Sequence, residues 1–151
     1  MSFFNNPNRI PESYGLRIAA GLIGFFLVMK LAGFSHIVEL RVLNLFILMG
    51  GVYMALKRFK ESHNGEMDYL RGMITGIATS SIGSAAFALF LFIYMQVDAE
   101  MMQFIMENEP MGMYLNPYIA SFIVGFEGVF SGLLVTFMLM NYLNTKETNQ
   151  P

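Results

Sequence analysis

The stretch Phe122–Val135 reads FIVGFEGVFSGLLV, and Glu127 is its only ionisable residue. If the stretch is a helix that crosses a bilayer from about residue 117, Glu127 lies about 15 Å along it, close to the middle of the hydrocarbon. A carboxylate at that depth costs about 2.5–3.5 kcal/mol on insertion scales, and such residues usually turn to the bundle interior. Three roles are open to it. It can be protonated and hydrogen-bonded to Ser80, Ser84 or Ser131 as a structural tie. It can pair with Lys30, which enters from another apolar run. It can also bind a proton or a cation, although no second intramembrane acid or histidine completes a relay.

Methionine is the other residue type with chemical potential. The chain holds 14, six of them from Met95 to Met113. Met102 and Met106, four apart, and Met111 and Met113, two apart, have spacings that thioether Cu(I) sites use. Methionine also fills irregular apolar gaps, it recurs in the other apolar runs, and no histidine joins this segment. No metal is therefore expected, and these four are the Cu(I) candidates if one is held. His36 and His63 lack a second ligand at metal spacing and read as solvated or capping residues. There is no cysteine, which removes disulfides and thiolate chemistry. No phosphate loop, HExxH, nucleophile elbow or haem-type histidine pair is present. The expectation is a protein that is not an enzyme and carries no cofactor. A net charge of −2 argues against nucleic acid as a partner.

The elements that must position Glu127 follow from the distribution of charge. The 151 residues are 55% hydrophobic and only 13% charged, with a mean hydropathy of +0.51. A soluble domain has roughly 25% charged residues. No charge occurs from Gly72 to Val97, and Glu127 is alone between Pro110 and Thr145. Runs of this length can cross a hydrocarbon core, which takes about 20 helical residues. Four spans are predicted, over about residues 14–34, 39–56, 70–97 and 117–142, in one membrane domain. Pro11 and Glu12 suit a first helical turn, and Asn116-Pro117 suits a cap with proline at the first helical position. The polar start MSFFNNPNRIPESYG has no short basic region, so the first run reads as a retained span.

Lys57, Arg58 and Lys60 crowd the connection 57–69, while the segment 98–109 carries only Asp98, Glu100, Glu107 and Glu109. The positive-inside rule then places residues 57–69 and both termini in the cytoplasm. Tyr14, Tyr53, Tyr69, Tyr94, Tyr118 and Tyr142 fall near span ends, as interfacial anchors do. In 98–109, Met101, Met102, Phe104, Ile105 and Met106 can form an apolar stripe opposite Glu100, Gln103 and Glu107. A short amphipathic helix on the outer surface, ending before Pro110, is expected.

Small residues supply the packing pattern. Ser121, Gly125, Gly128 and Gly132 make one narrow line on the fourth span. Gly72, Gly76, Thr79, Gly83 and Ala86 make a comparable line on the third, with Ser80 and Ser84 beside it. Lipid provides no hydrophobic drive for helix association, so close backbone approach supplies the packing energy. The favoured reading is that spans three and four pack on each other through these lines; a dimer or gating interface is the alternative. Phe122, Phe126, Phe130 and Phe137 form a lipid face. Glu127 takes a third face with Ala120, Val124, Ser131 and Met138. FILMGGVY (46–53) echoes FIVGFEGVF (122–130), and Tyr14-Gly-Leu-Arg17 echoes Tyr69-Leu-Arg71. Two hairpins related as a repeat would produce such echoes.

The run GGVYMALKRFKE, a third span rich in Gly, Ser and Ala, and the FLFIYMQVD that ends it form a familiar layout. It resembles a family of small four-span bacterial inner-membrane proteins grouped as a domain of unknown function. That resemblance implies a four-helix membrane fold in a bacterial cytoplasmic membrane and brings no activity or site residues. The sequence thus predicts an all-α integral membrane protein of four transmembrane helices, packed as two antiparallel hairpins, plus a short outer interfacial helix. Its expected role is that of a non-enzymatic accessory or assembly subunit, in contact with the lipid bilayer and with copies of itself (a homo-oligomer) or another membrane protein. The alternatives are a small oligomeric transporter or channel with Glu127 as its coupling site, and a methionine-rich Cu(I) handler.

Overall fold

A computed structural model describes residue 6 and residues 9–33, 41–63 and 68–148 of the chain. Five α-helices follow in order: α1 (Ile10–Leu31), α2 (Arg41–Ser62), α3 (Tyr69–Val97), α4 (Ala99–Asn108) and α5 (Pro117–Thr148). A single 3₁₀ turn, Gly112–Tyr114, lies between α4 and α5, and no strand occurs among the described residues. Helices α1, α2, α3 and α5 are each long and apolar enough to cross a membrane. His36 and Glu39 lie outside the described residues.

The four long helices pack as two hairpins. Helices α1 and α2 run antiparallel, with Gly21 beside Ile47 and Gly51 beside Ile18. Helices α3 and α5 also run antiparallel and touch at four successive levels, Ala88 with Gly125, Ser84 with Gly128, Ser80 with Gly132, and Gly76 with Thr136. A glycine stands on one side or the other at every level. A Cβ on Gly128 would sit 2.8 Å from the Cβ of Ser84, so the two backbones are as close as the residues allow. Helix α3 is the common wall: it packs most extensively on α5 and α1, and α2 closes the bundle against all three.

The predicted line of small residues on α3 divides into two. Gly76, Ser80 and Ser84 face α5, whereas Gly83 turns to α1, where a Cβ would lie 2.9 Å from Ile18 Cγ2. Thr79 belongs to this second face, because its carbonyl is 3.0 Å from a Cβ built on Gly15. The two faces lie roughly 100° apart, and small residues occupy both, so the small residues of α3 serve two contacts and not one. Hydroxyls within these contacts are satisfied locally, as hydrocarbon requires. Thr79 donates to the carbonyl of Thr75, Thr136 to that of Gly132, and Ser121 to that of Pro117, each at 2.7 Å.

Helix ends differ from the apolar runs in instructive ways. Helix α2 does not stop at residue 56 but continues through the basic residues to Ser62. Helix α1 begins at Ile10, before the apolar run itself. These extra turns pack on each other: Ile10, Ala55 and Phe59 are buried together, with Tyr14 against them. Phe59, alone among the charges of KRFKES, was the mark of an apolar face extending past the hydrocarbon. Helix α1 stops at Leu31 because Gly33 adopts φ +76°, a left-handed conformation that ends the helix. Asp68 caps α3 by accepting from the amide of Leu70 at 3.0 Å.

The echoed hairpins pack in different registers. Gly51 meets Ile18, four residues after Tyr14, while the corresponding Gly128 meets Ser84, fifteen residues after Tyr69. The likeness between the two stretches therefore does not extend to how they pack.

At the acidic end, α4 folds back as a lid. Met102 is buried, with Met101 and Ile105 packed on the core, while Glu100, Gln103 and Glu107 are exposed. Met106 is exposed too and leaves the expected apolar stripe. Asp98 joins three helices here. It accepts from the Met101 amide at 3.2 Å, capping α4, and from the Tyr94 hydroxyl at 3.0 Å. It also forms an ion pair with Lys30 of α1, whose ammonium stands 4.8 Å from the centre of the Tyr94 ring. Tyr94 stacks edge-on against Phe26 of α1 at 5.2 Å. In a double-mutant cycle, Lys30→Met and Asp98→Asn are expected to show a coupling of about 0.5–1 kcal/mol by reversible unfolding in detergent. Asp98→Ala alone should cost about 1–2 kcal/mol, since the cap is lost as well. A coupling of zero would show that the two charges do not stabilise the fold through each other.

Candidate functional site: an acid-lined cavity inside the bundle

The close contact of Gly128 with Ser84 fixes how Glu127 sits. One residue before that contact, about 100° around α5, Glu127 points along the seam between α5 and α2. It lines a cavity of about 100 Å³ together with Ser131 of α5, Ser84 of α3 and Asn44 of α2. The floor is apolar and buried, built from Leu22, Leu48 and Phe87. Glu127 and Leu45 are both exposed and form the rim, so the cavity opens on the flank of the bundle. Phe122, Phe126, Phe130 and Phe137 of α5 are all at least half exposed, which fits a lipid-facing stripe. Ala120 is buried at one end of the Glu127 face and Met138 is exposed at the other.

Of the partners considered for Glu127, the structure brings two into its cavity and places two elsewhere. Ser84 and Ser131 line the cavity. Ser80 is buried beneath Gly132 and donates to the carbonyl of Ile77 at 3.0 Å, within its own helix. Lys30 is engaged by Asp98 at the acidic end. Among the described residues Glu127 therefore has no ion-pair partner, and no hydrogen bond ties its carboxylate to the fold.

Asn44 is the residue that sequence reasoning passed over. Its Oδ1 is buried and has no hydrogen-bond partner. Buried polar atoms are nearly always paired, so an orphan acceptor facing a cavity marks a place where a donor or cation fits. The signal was a lone amide in the charge-free run VLNLFILMGG. It was easily missed, because an uncharged residue leaves no gap in a pattern read from charges.

The remaining candidates do not converge. Met102 is in the core, whereas Met106, Met111 and Met113 are exposed, so the four do not share one surface. Gly112 is buried under α4, where a Cβ would lie 2.7 Å from Met106 Cα. The Nδ1 of His63 lies 3.0 Å from the Phe59 carbonyl and its ring stacks on Phe59 at 4.3 Å, a capping arrangement at the end of α2. No group of three or more His, Cys, Asp or Glu side chains converges among the described residues.

Chemically, the cavity offers one carboxylate, one amide oxygen and two hydroxyls, all hard oxygen donors, in a place from which lipid excludes bulk water. A family described as "Protein of unknown function (DUF4199)" matches residues 13–140. No curated protein and no solved structure matches.

Proposed function

Because the chain belongs to the DUF4199 family of proteins of unknown function, we propose from its geometry that it is a non-enzymatic, multi-pass membrane protein with Glu127 as a proton- or cation-coupling site. We place it in the bacterial cytoplasmic membrane with both termini on the cytoplasmic side; Lys57, Arg58 and Lys60 at the end of α2, against no Lys or Arg in 98–109, support that orientation. One observation carries the coupling role: the Glu127 carboxylate has no partner among the described residues, yet it borders a cavity with an unsatisfied amide oxygen. An intramembrane acid that serves only the fold is bonded to the fold.

One copy alone makes no path across the membrane. Towards the basic end the bundle is closed by Val52, Leu56 and Met140, none of which has any exposed surface. Transport then takes either a movement of α2 against α5 or a second copy at the flank. In proteoliposomes with an imposed pH gradient, the wild type is expected to dissipate the gradient and Glu127→Gln to abolish at least nine-tenths of that flux. Equal flux from both would end the coupling role.

A second reading has its own support. Exposed Glu127 lies between the lipid-facing Phe126 and Phe130 turns. A charge at a lipid face is covered at least cost by another helix, as in an accessory or assembly subunit.

A further inference from the structure

We infer that the cavity between α2 and α5 is a binding site for a monovalent alkali cation, held by Glu127, Asn44, Ser84 and Ser131. This names the ligand class of the coupling site proposed above and rests on that reading for its physiological use, though not for the binding itself.

The donor set points to the class. All four side chains present oxygen, and the Oδ1 of Asn44 is a buried acceptor with nothing to accept from. Hard cations select carboxylate, carbonyl and hydroxyl oxygens, whereas Cu(I) and zinc select sulfur or imidazole. None of the described residues lining the cavity carries sulfur or imidazole.

Charge balance points to the valence. Among the described residues, Glu127 is the only ionisable one lining the cavity. One carboxylate with one monovalent cation is neutral, while a divalent ion would leave a net positive charge at membrane depth, which is expensive. A proton would neutralise Glu127 as well, but it would leave Asn44 Oδ1 unmatched unless the protonated acid reached it. An alkali cation satisfies both at once. The cavity of about 100 Å³ has room for such an ion with several waters.

The neighbouring polar groups are already engaged, which keeps the site selective. Lys30 is held at Asp98, and the hydroxyls of Ser80, Thr79 and Thr136 donate to carbonyls of their own helices. No fixed cation competes for Glu127 among the described residues.

The test uses the full-length protein in detergent, titrated with NaCl or KCl against choline chloride at constant ionic strength. NaCl or KCl is expected to raise the melting temperature by about 3–6 °C at tenfold excess over Kd, and choline is not. Comparing NaCl with KCl identifies the preferred ion. Glu127→Gln and Asn44→Leu should each remove the shift, while Phe137→Leu on the lipid-facing stripe should keep it. A shift of the same size in choline, or one retained in Glu127→Gln, overturns the site. Saturable binding of ²²Na⁺ or ⁸⁶Rb⁺ to purified protein gives a second readout that does not depend on melting. Ion binding without flux in proteoliposomes would uphold the site and remove the coupling role; flux without ion binding would do the reverse.

Discussion

Gly132→Val is expected to cost about 3 kcal/mol of stability in detergent, among the largest effects of a single methyl-bearing substitution in this chain. Any Cβ at position 132 runs into the Cβ and Oγ of Ser80, and valine adds two methyls that its helical rotamer cannot turn away. Ser80 cannot yield, because it is fully buried on α3 and its hydroxyl is bound at Ile77. Relief therefore requires α3 and α5 to separate, which loosens the contacts at Ser84 and Gly76 on either side. Position 24 provides the contrast. A Cβ there meets nothing within 4 Å, so Gly24→Ala should be neutral or stabilise by up to about 1 kcal/mol through helix propensity. Exchanging the small residues, Ser80→Gly with Gly132→Ser, should recover most of the loss, since the level again holds one glycine. Reversible unfolding followed by circular dichroism measures all three. A cost below about 1 kcal/mol for Gly132→Val would mean that the helices are not in close contact at this level.

The four membrane helices were legible because the bilayer imposes a length and excludes charge, so apolar runs and charge clusters mark the spans directly. The amphipathic α4 was legible for the same reason, since its start at Asp98 and its stop before Pro110 are local chemistry. Helix ends were less so. Helices α1 and α2 extend past the hydrocarbon because Ile10 and Phe59 find each other, a tertiary contact with no counterpart in the hydropathy of either segment. Lys30 was misplaced for a related reason. Its depth suggested a partner inside the bundle, but α1 and α3 run parallel, with Phe26 against Phe90 and Tyr94, and that register brings Lys30 to Asp98. Within the candidate site, Glu127, Ser84 and Ser131 could be named from depth and helical face. Asn44 could not, because which uncharged residue of α2 meets the α5 seam depends on how far two helices slide past each other.

The second large effect concerns Glu127 itself. An acid that ties a fold together destabilises the fold when removed. Glu127 makes no such tie among the described residues, so its removal should relieve a cost. Glu127→Leu exchanges a carboxylate at bilayer depth, worth about 2.5–3.5 kcal/mol against insertion, for a residue that favours hydrocarbon. The substituted protein is thus expected to be more stable than the wild type while losing proton flux and ion binding, the usual exchange where an active group is held at the expense of stability. Leu45 and Val124 line the same cavity, so leucine at position 127 finds apolar company. Sodium and potassium must be left out of the comparison, since bound ions would stabilise the wild type alone.

The measurement that bears most directly on the account is therefore the unfolding free energy of Glu127→Leu relative to wild type, in bicelles with choline as the sole monovalent cation. A gain of at least about 1 kcal/mol is expected, with Glu127→Gln close to wild type. A loss of about 1 kcal/mol or more in Glu127→Leu would show that the carboxylate holds the helices together, and would contradict a site kept for an ion.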